Sequence, residues 1–257
     1  MHYDHSQQLQ IHGLLTDYPR FEPLRRDDAT LTAVMDRVLR DFIMKRLLMA
    51  YLGEDAGARV FHGQVRRGDV QTLRACIWFS DLRSFTALSD SVETPALLAI
   101  LNDTFDVLVG AIEAEGGQVL KFIGDGLLAV FLDDDASNAC RRGLRAARAA
   151  QERLLALREE RRGRGGYEPR VGVGLHFGDV TYGNIGAPAR LDFTVIGRAV
   201  NLASRLEGLS STLGRSVILS AEMAAHLLGE GPEPLGVHAV KGLAAPVAVF
   251  GIPGDAA

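Results

Sequence analysis

Two apolar segments flank the tripeptide Gly124-Asp125-Gly126 within LKFIGDGLLAVF, residues 120–131. Asp-Gly between two such segments is a strong short-range signal for a β-hairpin. This hairpin restricts the possible folds more than any other feature, because it requires two antiparallel neighbours in one sheet. Asp125 is therefore predicted at the hairpin tip, where a carboxylate stays exposed enough to bind a cation.

Another apolar segment, residues 76–79, leads into Asp81 and then into a turn. Residues 73–79 are predicted to form a strand that delivers this aspartate at its end. Any two aspartates can be ordinary surface residues, but a strand end and a hairpin tip can bring Asp81 and Asp125 together. Neighbouring carboxylates repel unless a proton or a divalent cation lies between them. Oxygen-only ligands favour Mg²⁺ or Mn²⁺, and Mg²⁺ held in this way usually carries substrate phosphates.

The order of the predicted elements indicates the fold. They are a strand at 73–79, a helix at 94–115, hairpin strands at 118–123 and 127–132, a helix at 136–162 and a strand at 170–175. This β-α-β-β-α-β order is the ferredoxin-like unit. Turn-forming residues dominate 179–186, and further elements are predicted at 191–196, 198–209, 217–219, 221–228 and 248–251. We therefore predict an α+β fold: a ferredoxin-like βαββαβ core with additional C-terminal strands and helices, preceded by an N-terminal helix.

Residues 1–71 are predicted to be an N-terminal segment, and residues 72–252 the main domain. Apolar residues in the segment follow heptad spacing from Leu31 to Leu52, and Lys45 interrupts them. An amphipathic helix packed on its own domain has the same pattern as a dimerising helix. We prefer the dimerising, signal-transmitting interpretation because the helix ends shortly before the main domain.

Charge and cysteine content exclude several classes of protein. With 28 basic and 32 acidic residues, the net charge is −4, so the chain lacks the basic surface expected for nucleic-acid binding. Cys76 and Cys140 lie in apolar or helical contexts without metal-ligand spacing, which indicates buried thiols in a reducing compartment. The sequence shows no signal-peptide pattern and no membrane span, so a cytoplasmic location is expected.

Asn201 and Arg205 are four residues apart in the predicted helix 198–209 and therefore share a face. Such a pair is most often part of a solvated face. Beside a two-carboxylate metal site, however, it offers an amide to orient a group and a guanidinium for developing negative charge.

Four motifs together resemble the catalytic domain of class III nucleotidyl cyclases. They are FSDLRSFT at 79–86, KFIGDG at 121–126, FTVIGRAVNLASRLE at 193–207 and VKGL at 240–243. They agree with the family in order and spacing over roughly residues 72–252. The resemblance implies a homodimer of ferredoxin-like domains that share active sites across their interface. It also implies formation of a 3′,5′-cyclic nucleotide and pyrophosphate from a nucleoside triphosphate.

The resemblance also assigns roles at the metal and base positions. Asp81 and Asp125 match the two aspartates that bind metal, and the backbone carbonyl of Leu82 matches a further ligand. Two Mg²⁺ or Mn²⁺ ions per active site are therefore expected. Lys121 and Thr194 match the pair that recognises the purine.

The remaining roles concern the ribose and the phosphates. Asn201 and Arg205 match the pair that orients the ribose and stabilises the pentavalent transition state. Lys241 matches a lysine that contacts the terminal phosphates, and Arg190 is a further candidate for a similar contact.

Departures from the family pattern bear on the substrate. Many members carry Asp at the position of Thr194, and a threonine resembles the subgroup that is often bicarbonate-responsive adenylate cyclases. ATP is therefore the expected substrate. A guanylate cyclase is the nearest alternative, but guanine-specific members usually place an acidic residue where this chain has Lys121. A catalytically inactive regulatory or dimerisation module is a further alternative.

Overall fold

The computed structural model describes residues 29–255, except residues 65, 67, 188, 241 and 244. Lys241, the predicted phosphate contact, lies outside the described residues, as does the side chain of Leu31. The chain divides between Met44 and Lys45 into two compact units. The predicted boundary between residues 71 and 72 stays a prediction.

The described residues contain seven helices and eight strands. The helices are α1 (Ala29–Leu52), α2 (Glu54–Phe61), α3 (Phe85–Ser91), α4 (Thr94–Ala114), α5 (Ala136–Gly163), α6 (Arg198–Leu209) and α7 (Ala221–Ala225). The strands are β1 (Val70–Leu82), β2 (Gln118–Ile123), β3 (Gly126–Phe131), β4 (Val171–Ala187), β5 (Arg190–Ile196), β6 (Val217–Ser220), β7 (Glu233–His238) and β8 (Val247–Gly251).

All eight strands belong to one mixed sheet. Its order is β2-β3-β1-β4-β6-β8-β7, and β5 pairs with β4 outside this path. Strand β1 lies antiparallel between β3 and β4, with Cys76 opposite both Phe131 and Phe177. The first four strands in this order, β2-β3-β1-β4, form the ferredoxin-like arrangement. The predicted α+β fold is therefore confirmed.

Strand β1 is central because both of its faces are covered. Trp78 and Leu82 point towards α4 and α5 and belong to the larger apolar core. Ile77 points to the opposite face, where it packs in a second core with Ala199 and Ala203 of α6. A strand buried on both faces appears in sequence as a continuous apolar segment, which is why residues 76–79 are apolar without alternation.

Small residues allow α5 to approach the sheet closely. A Cβ atom at Gly143 would lie 2.6 Å from the sulfur of Cys76. Cys76 and Cys140 are both buried and free, so the prediction of buried thiols is confirmed. Asp135 caps the N-terminus of α5: its carboxylate accepts a 2.9 Å hydrogen bond from the backbone N–H of Ser137. This contact satisfies one of the N–H groups left open at a helix start.

The prediction of a turn-rich loop at residues 179–186 is wrong. These residues form the second half of β4. Residues of β4 up to Gly183 pair with β1, and residues from Thr181 to Ala187 pair with β5. Gly183 has a φ of 149°, a value that other residues rarely adopt. The glycines that suggested a loop lie inside a long strand, and a Cβ atom at Gly183 would lie 2.1 Å from the carbonyl oxygen of Asp69.

One helix among the described residues, α4, is long and apolar enough to cross a membrane by length and composition alone. Its residues Ile100, Leu108 and Ile112 are buried in the core that α4 shares with α5 and the sheet. A core helix of a globular domain satisfies the same criterion.

Candidate active site

Asp81 is the penultimate residue of β1 and lies inside the strand, opposite Gly172 of β4. Sequence reasoning ended this strand at Phe79, three residues short of its end at Leu82. The alternation of side chains along a strand puts Asp81 on the same face as Ile77, the face that α6 covers. The carboxylate is therefore held at the edge of a rigid core.

Asp125 occupies the turn between β2 and β3, at the predicted hairpin tip. Gly126, which follows it, allows the hairpin to approach β1. A Cβ atom at this position would lie 2.2 Å from the carbonyl oxygen of Ser80 and 2.9 Å from Oδ1 of Asp81. The close approach brings Asp125 near enough to Asp81 for its charge to act on the Asp81 carboxylate. The structure therefore brings these two carboxylates together, and their role as metal ligands stays a prediction.

The proximity of the two carboxylates changes the proton affinity of Asp81. Partial burial, followed by the negative charge of Asp125 and the hydrogen bond between them, raises the pKa of Asp81 to about 6. A hydrogen bond from the backbone of Leu82 acts in the opposite direction. The pair thus carries an electrostatic cost at neutral pH that a bound cation would remove.

A third acidic residue, Glu207 of α6, lies close enough to Asp81 and Asp125 for their charges to affect its pKa. Burial and the charges of Asp81 and Asp125 raise its pKa to about 7, although Arg83 opposes the shift. Sequence reasoning missed this residue. The spacing offered one signal. Glu207 is two residues after Arg205 and therefore points away from the Asn201/Arg205 face, and in the structure it points towards Gly172 of β4.

The residues present fit a magnesium-type site. The described residues contain no group of three His, Cys, Asp or Glu side chains that could hold a metal ion on their own. Mg²⁺ commonly uses one or two carboxylates and completes its shell with water and substrate phosphates, so the Asp81–Asp125 pair suits it. Leu82 ends β1 directly after Asp81, and the role of its carbonyl stays a prediction.

Lys121 lies on β2, immediately after an irregularity in the register between β2 and β3. Its ammonium Nζ is 3.6 Å from Oδ2 of Asp192 on β5. Thr194 lies two residues further along β5 and is buried, and its hydroxyl has no hydrogen-bond partner among the described residues. The strands β2 and β5 thus place a cation and an unsatisfied hydroxyl in one region. Sequence reasoning missed Asp192, although its spacing of two from Thr194 indicated a shared side of the strand.

Asn201 and Arg205 lie on α6, as predicted, and a face common to both follows from their spacing. Asn201 is exposed and Arg205 is half-buried. A Cβ atom at Gly242 would lie 3.0 Å from a terminal nitrogen of Arg205, so the loop that contains the VKGL motif contacts this guanidinium. Arg190, the first residue of β5, is exposed.

The contacts divide the candidate residues into two groups. The first is an acidic group of Asp81, Asp125 and Glu207. The second contains the ion pair between Lys121 of β2 and Asp192 of β5. Among the residues described, no hydrogen bond or ion pair joins the two groups.

Comparisons with known proteins place this arrangement in context. Residues 70–242 match the family described as "Adenylate and Guanylate cyclase catalytic domain". The chain is 37% identical over 164 residues to an adenylate cyclase of Anabaena cylindrica, an alignment that covers 62% of this chain and 32% of that protein. The chain thus spans about a third of the length of this curated relative.

Solved structures give a similar result. The adenylyl cyclase CyaB from P. aeruginosa is 30% identical with a TM-score of 0.66, covering 72% of this chain and 95% of that one. The guanylyl cyclase Cya2 is 28% identical with a TM-score of 0.60, covering 72% of this chain and 94% of that one.

Proposed function

Because the chain belongs to the family of adenylate and guanylate cyclase catalytic domains, we propose that it is an adenylate cyclase. It converts ATP into 3′,5′-cyclic AMP and pyrophosphate. The observation that carries the proposal is the proximity of Asp81 and Asp125, which Gly126 makes possible. Two carboxylates held together on a rigid strand and a hairpin are the ligands that a phosphate-bound divalent cation requires.

Asp81 and Asp125, with the carbonyl of Leu82, would hold two Mg²⁺ or Mn²⁺ ions. When bound, these ions lower the pKa of the ribose 3′-hydroxyl and offset the negative charge on the leaving pyrophosphate. Glu207 adds a further negative charge beside the two aspartates and thereby strengthens the preference of the site for divalent cations. No protein nucleophile takes part.

The phosphates and the ribose meet α6. Arg205 presents a guanidinium whose planar donors match the oxygens of a pentavalent phosphorus. Asn201, one turn earlier, has an amide that can orient the ribose. Arg190 and Lys241 are the proposed contacts of the terminal phosphates.

Lys121 and Thr194 select the base. A lysine only donates hydrogen bonds, and adenine N1 is an acceptor, whereas guanine N1 carries a hydrogen. The buried hydroxyl of Thr194 can rotate to accept from the adenine amino group. Its lack of a partner among the described residues supports a role towards a ligand.

We further propose a homodimer in which each active site takes its metal ligands from one subunit and Lys121, Thr194, Asn201 and Arg205 from the other. The separation of the two groups of contacts within one chain supports this arrangement. Two residues of the predicted heptad seam on α1, Met35 and Val38, are exposed, which is consistent with a helix that pairs with a second copy. A cytoplasmic location, where ATP is supplied and the two thiols stay reduced, completes the proposal.

A guanylate cyclase is the second candidate, because the chain also resembles the guanylyl cyclase Cya2. The charge of Lys121 opposes this alternative. The test is incubation of the purified protein with ATP or GTP and Mg²⁺ or Mn²⁺, followed by detection of the cyclic product.

In the same assay, Asp81→Ala and Asp125→Ala should abolish turnover while the circular-dichroism spectrum stays native. Asp134→Ala is the matched control, because Asp134 is exposed and follows β3 at the end opposite the hairpin tip. Activity of either metal-site variant near that of the wild type would contradict the proposed site. A better rate with GTP would favour the second candidate.

A further inference from the structure

The ion pair between Lys121 and Asp192 has no assigned role. Its two charged atoms are 3.6 Å apart, and the side chains are 37% and 61% exposed. An ion pair this exposed contributes little to folding stability. The ion pair therefore calls for another role, and it involves Lys121, one of the two residues proposed to select the base.

Strand geometry places Asp192 beside the proposed base pocket. Strand β5 pairs with β4 without interruption from Thr181↔Ile196 to Ala187↔Arg190, so alternate residues of β5 point to the same side. Asp192 and Thr194 therefore share one side. On β2, the register with β3 shifts between Val119 and Lys121, and bulges of this kind are common next to functional sites.

Lysine needs such a partner if it is to select a base. Its ammonium ends a flexible four-carbon chain and has three equivalent donors, so its position in the absence of a partner is poorly defined. A carboxylate that accepts one of these donors restricts the ammonium to the side of β5 where Thr194 lies. The two other donors remain available for a ligand.

We propose that Asp192 is a positioning residue for base selection: it holds the ammonium of Lys121 where adenine N1 can accept from it, beside the hydroxyl of Thr194. This inference rests on the proposed adenylate cyclase activity. Asp192 itself contacts Lys121 and not the base. Loss of Asp192 should therefore act only through the hydrogen bond that Lys121 donates.

The test combines Asp192→Asn with an ATP analogue in which a C–H group replaces adenine N1. For the wild type, loss of a hydrogen bond to a charged donor should lower kcat/KM by about 10-fold. Asp192→Asn should lower kcat/KM for ATP by several-fold, mainly through KM. For this variant, the additional penalty of the analogue should shrink to about 2-fold, because the contact is already weakened.

Asp179→Asn is the matched control. Asp179 forms an ion pair of 3.7 Å with Arg74, and both side chains are exposed, at 76% and 61%. This variant should behave as the wild type with both substrates. Asp192→Glu, which keeps the carboxylate, should recover part of the affinity for ATP. Thermal unfolding of all variants shows whether each one is folded.

The outcomes separate the two proposals. If wild-type protein makes cyclic AMP but Asp192→Asn matches Asp179→Asn, the positioning role is wrong and the proposed function stands. The same conclusion follows if Asp192→Asn lowers kcat/KM for ATP but the analogue still lowers it by a further 10-fold, as in the wild type. The defect would then not act through the hydrogen bond to adenine N1. A wild type that makes no cyclic AMP overturns both.

Discussion

Gly174 of β4 lies directly beneath Ala203 of α6: a Cβ atom at Gly174 would come within 2.1 Å of the carbonyl oxygen of Ala203. The same atom would lie 2.5 Å from the backbone nitrogen of Glu207. Helix α6 therefore rests on the backbone of the sheet without an intervening side chain. This contact sets the distance between α6 and the sheet, and therefore the positions of Asn201 and Arg205 on α6.

We predict that Gly174→Ala destabilises the protein by about 1–3 kcal/mol, the usual cost of overpacking a core, and lowers activity because α6 must move. Urea unfolding measures the first effect. Gly208→Ala is the control on the same helix, since among the described residues no atom outside the backbone of α6 lies within 4 Å of a Cβ there. That change should stabilise the protein by about 0.5–1 kcal/mol. Equal stability of the two variants would mean that α6 does not lie on Gly174.

The sequence predicts those parts of the site that depend on local signals. The Asp-Gly turn and the apolar segment before Asp81 are local, and the structure brings the two aspartates together as expected. Glu207 and Asp192 were missed because their partners come from other elements. Their roles depend on how α6 and β5 pack, which no short segment encodes.

Residues 179–186 illustrate the same limit. Glycine is typical of turns, and the segment reads as a loop by composition. In the structure, pairing with both β1 and β5 supplies the backbone hydrogen bonds of a strand. Tertiary pairing thus overrides the local preference.

The acidic group predicts a specific dependence of stability on pH. The pKa of Asp81 rises from 3.8 to about 6 on folding, and that of Glu207 from 4.5 to about 7. Over this interval the folded state binds more protons than the unfolded state. These two groups therefore lower the free energy of unfolding of the metal-free protein as the pH rises from about 4 to about 7.

Magnesium should reverse this effect, because a cation compensates the charges that protons otherwise neutralise. We expect Mg²⁺ to raise the Tm more at pH 7.5 than at pH 5, since protons compete with the cation for the carboxylates. Asp81→Asn should raise the Tm of the metal-free protein at pH 7.5 and reduce the response to Mg²⁺. An unchanged response in Asp81→Asn would show that the stabilising cation binds elsewhere.

Thr194→Val should separate stability from activity. The hydroxyl of Thr194 is buried without a partner among the described residues, and valine has nearly the same shape. Its removal should leave the free energy of unfolding unchanged or raise it by about 1 kcal/mol. The kcat/KM for ATP should fall by about 10-fold, because the adenine amino group loses its acceptor. A variant destabilised by more than about 1 kcal/mol would mean that the hydroxyl has a protein partner.

Tyr182 links β4 to α2. Its hydroxyl donates a 2.6 Å hydrogen bond to Oδ2 of Asp55, which also pairs with Arg59 at 2.8 Å. Because Arg59 still satisfies the carboxylate, Tyr182→Phe should cost only about 1 kcal/mol of unfolding free energy. Chemical denaturation measures the loss. Tyr51→Phe, at a side chain that is 85% exposed, should have no effect.

The shared-site dimer predicts that two inactive variants restore activity to each other. Asp81→Ala keeps Lys121 and Arg205 intact, and Arg205→Ala keeps both metal ligands. Mixed in equal amounts, the two proteins should form heterodimers with one complete site and one that lacks both residues. Random pairing makes about half of all dimers mixed, each with one active site of two, so activity should recover to roughly a quarter of that of the wild type.

A second mixture tests whether this recovery comes from shared sites. Asp81→Ala and Asp125→Ala both damage the metal half, so every site in every dimer lacks a ligand, and this mixture should stay inactive. Recovery in the first mixture should also rise with total protein concentration, because dimerisation follows mass action. Differently tagged copies, recovered together by affinity capture, show that subunits exchange. If subunits exchange and the first mixture stays inactive, Arg205 of one chain does not act together with the metal ligands of the other chain. The active sites are then not shared between subunits.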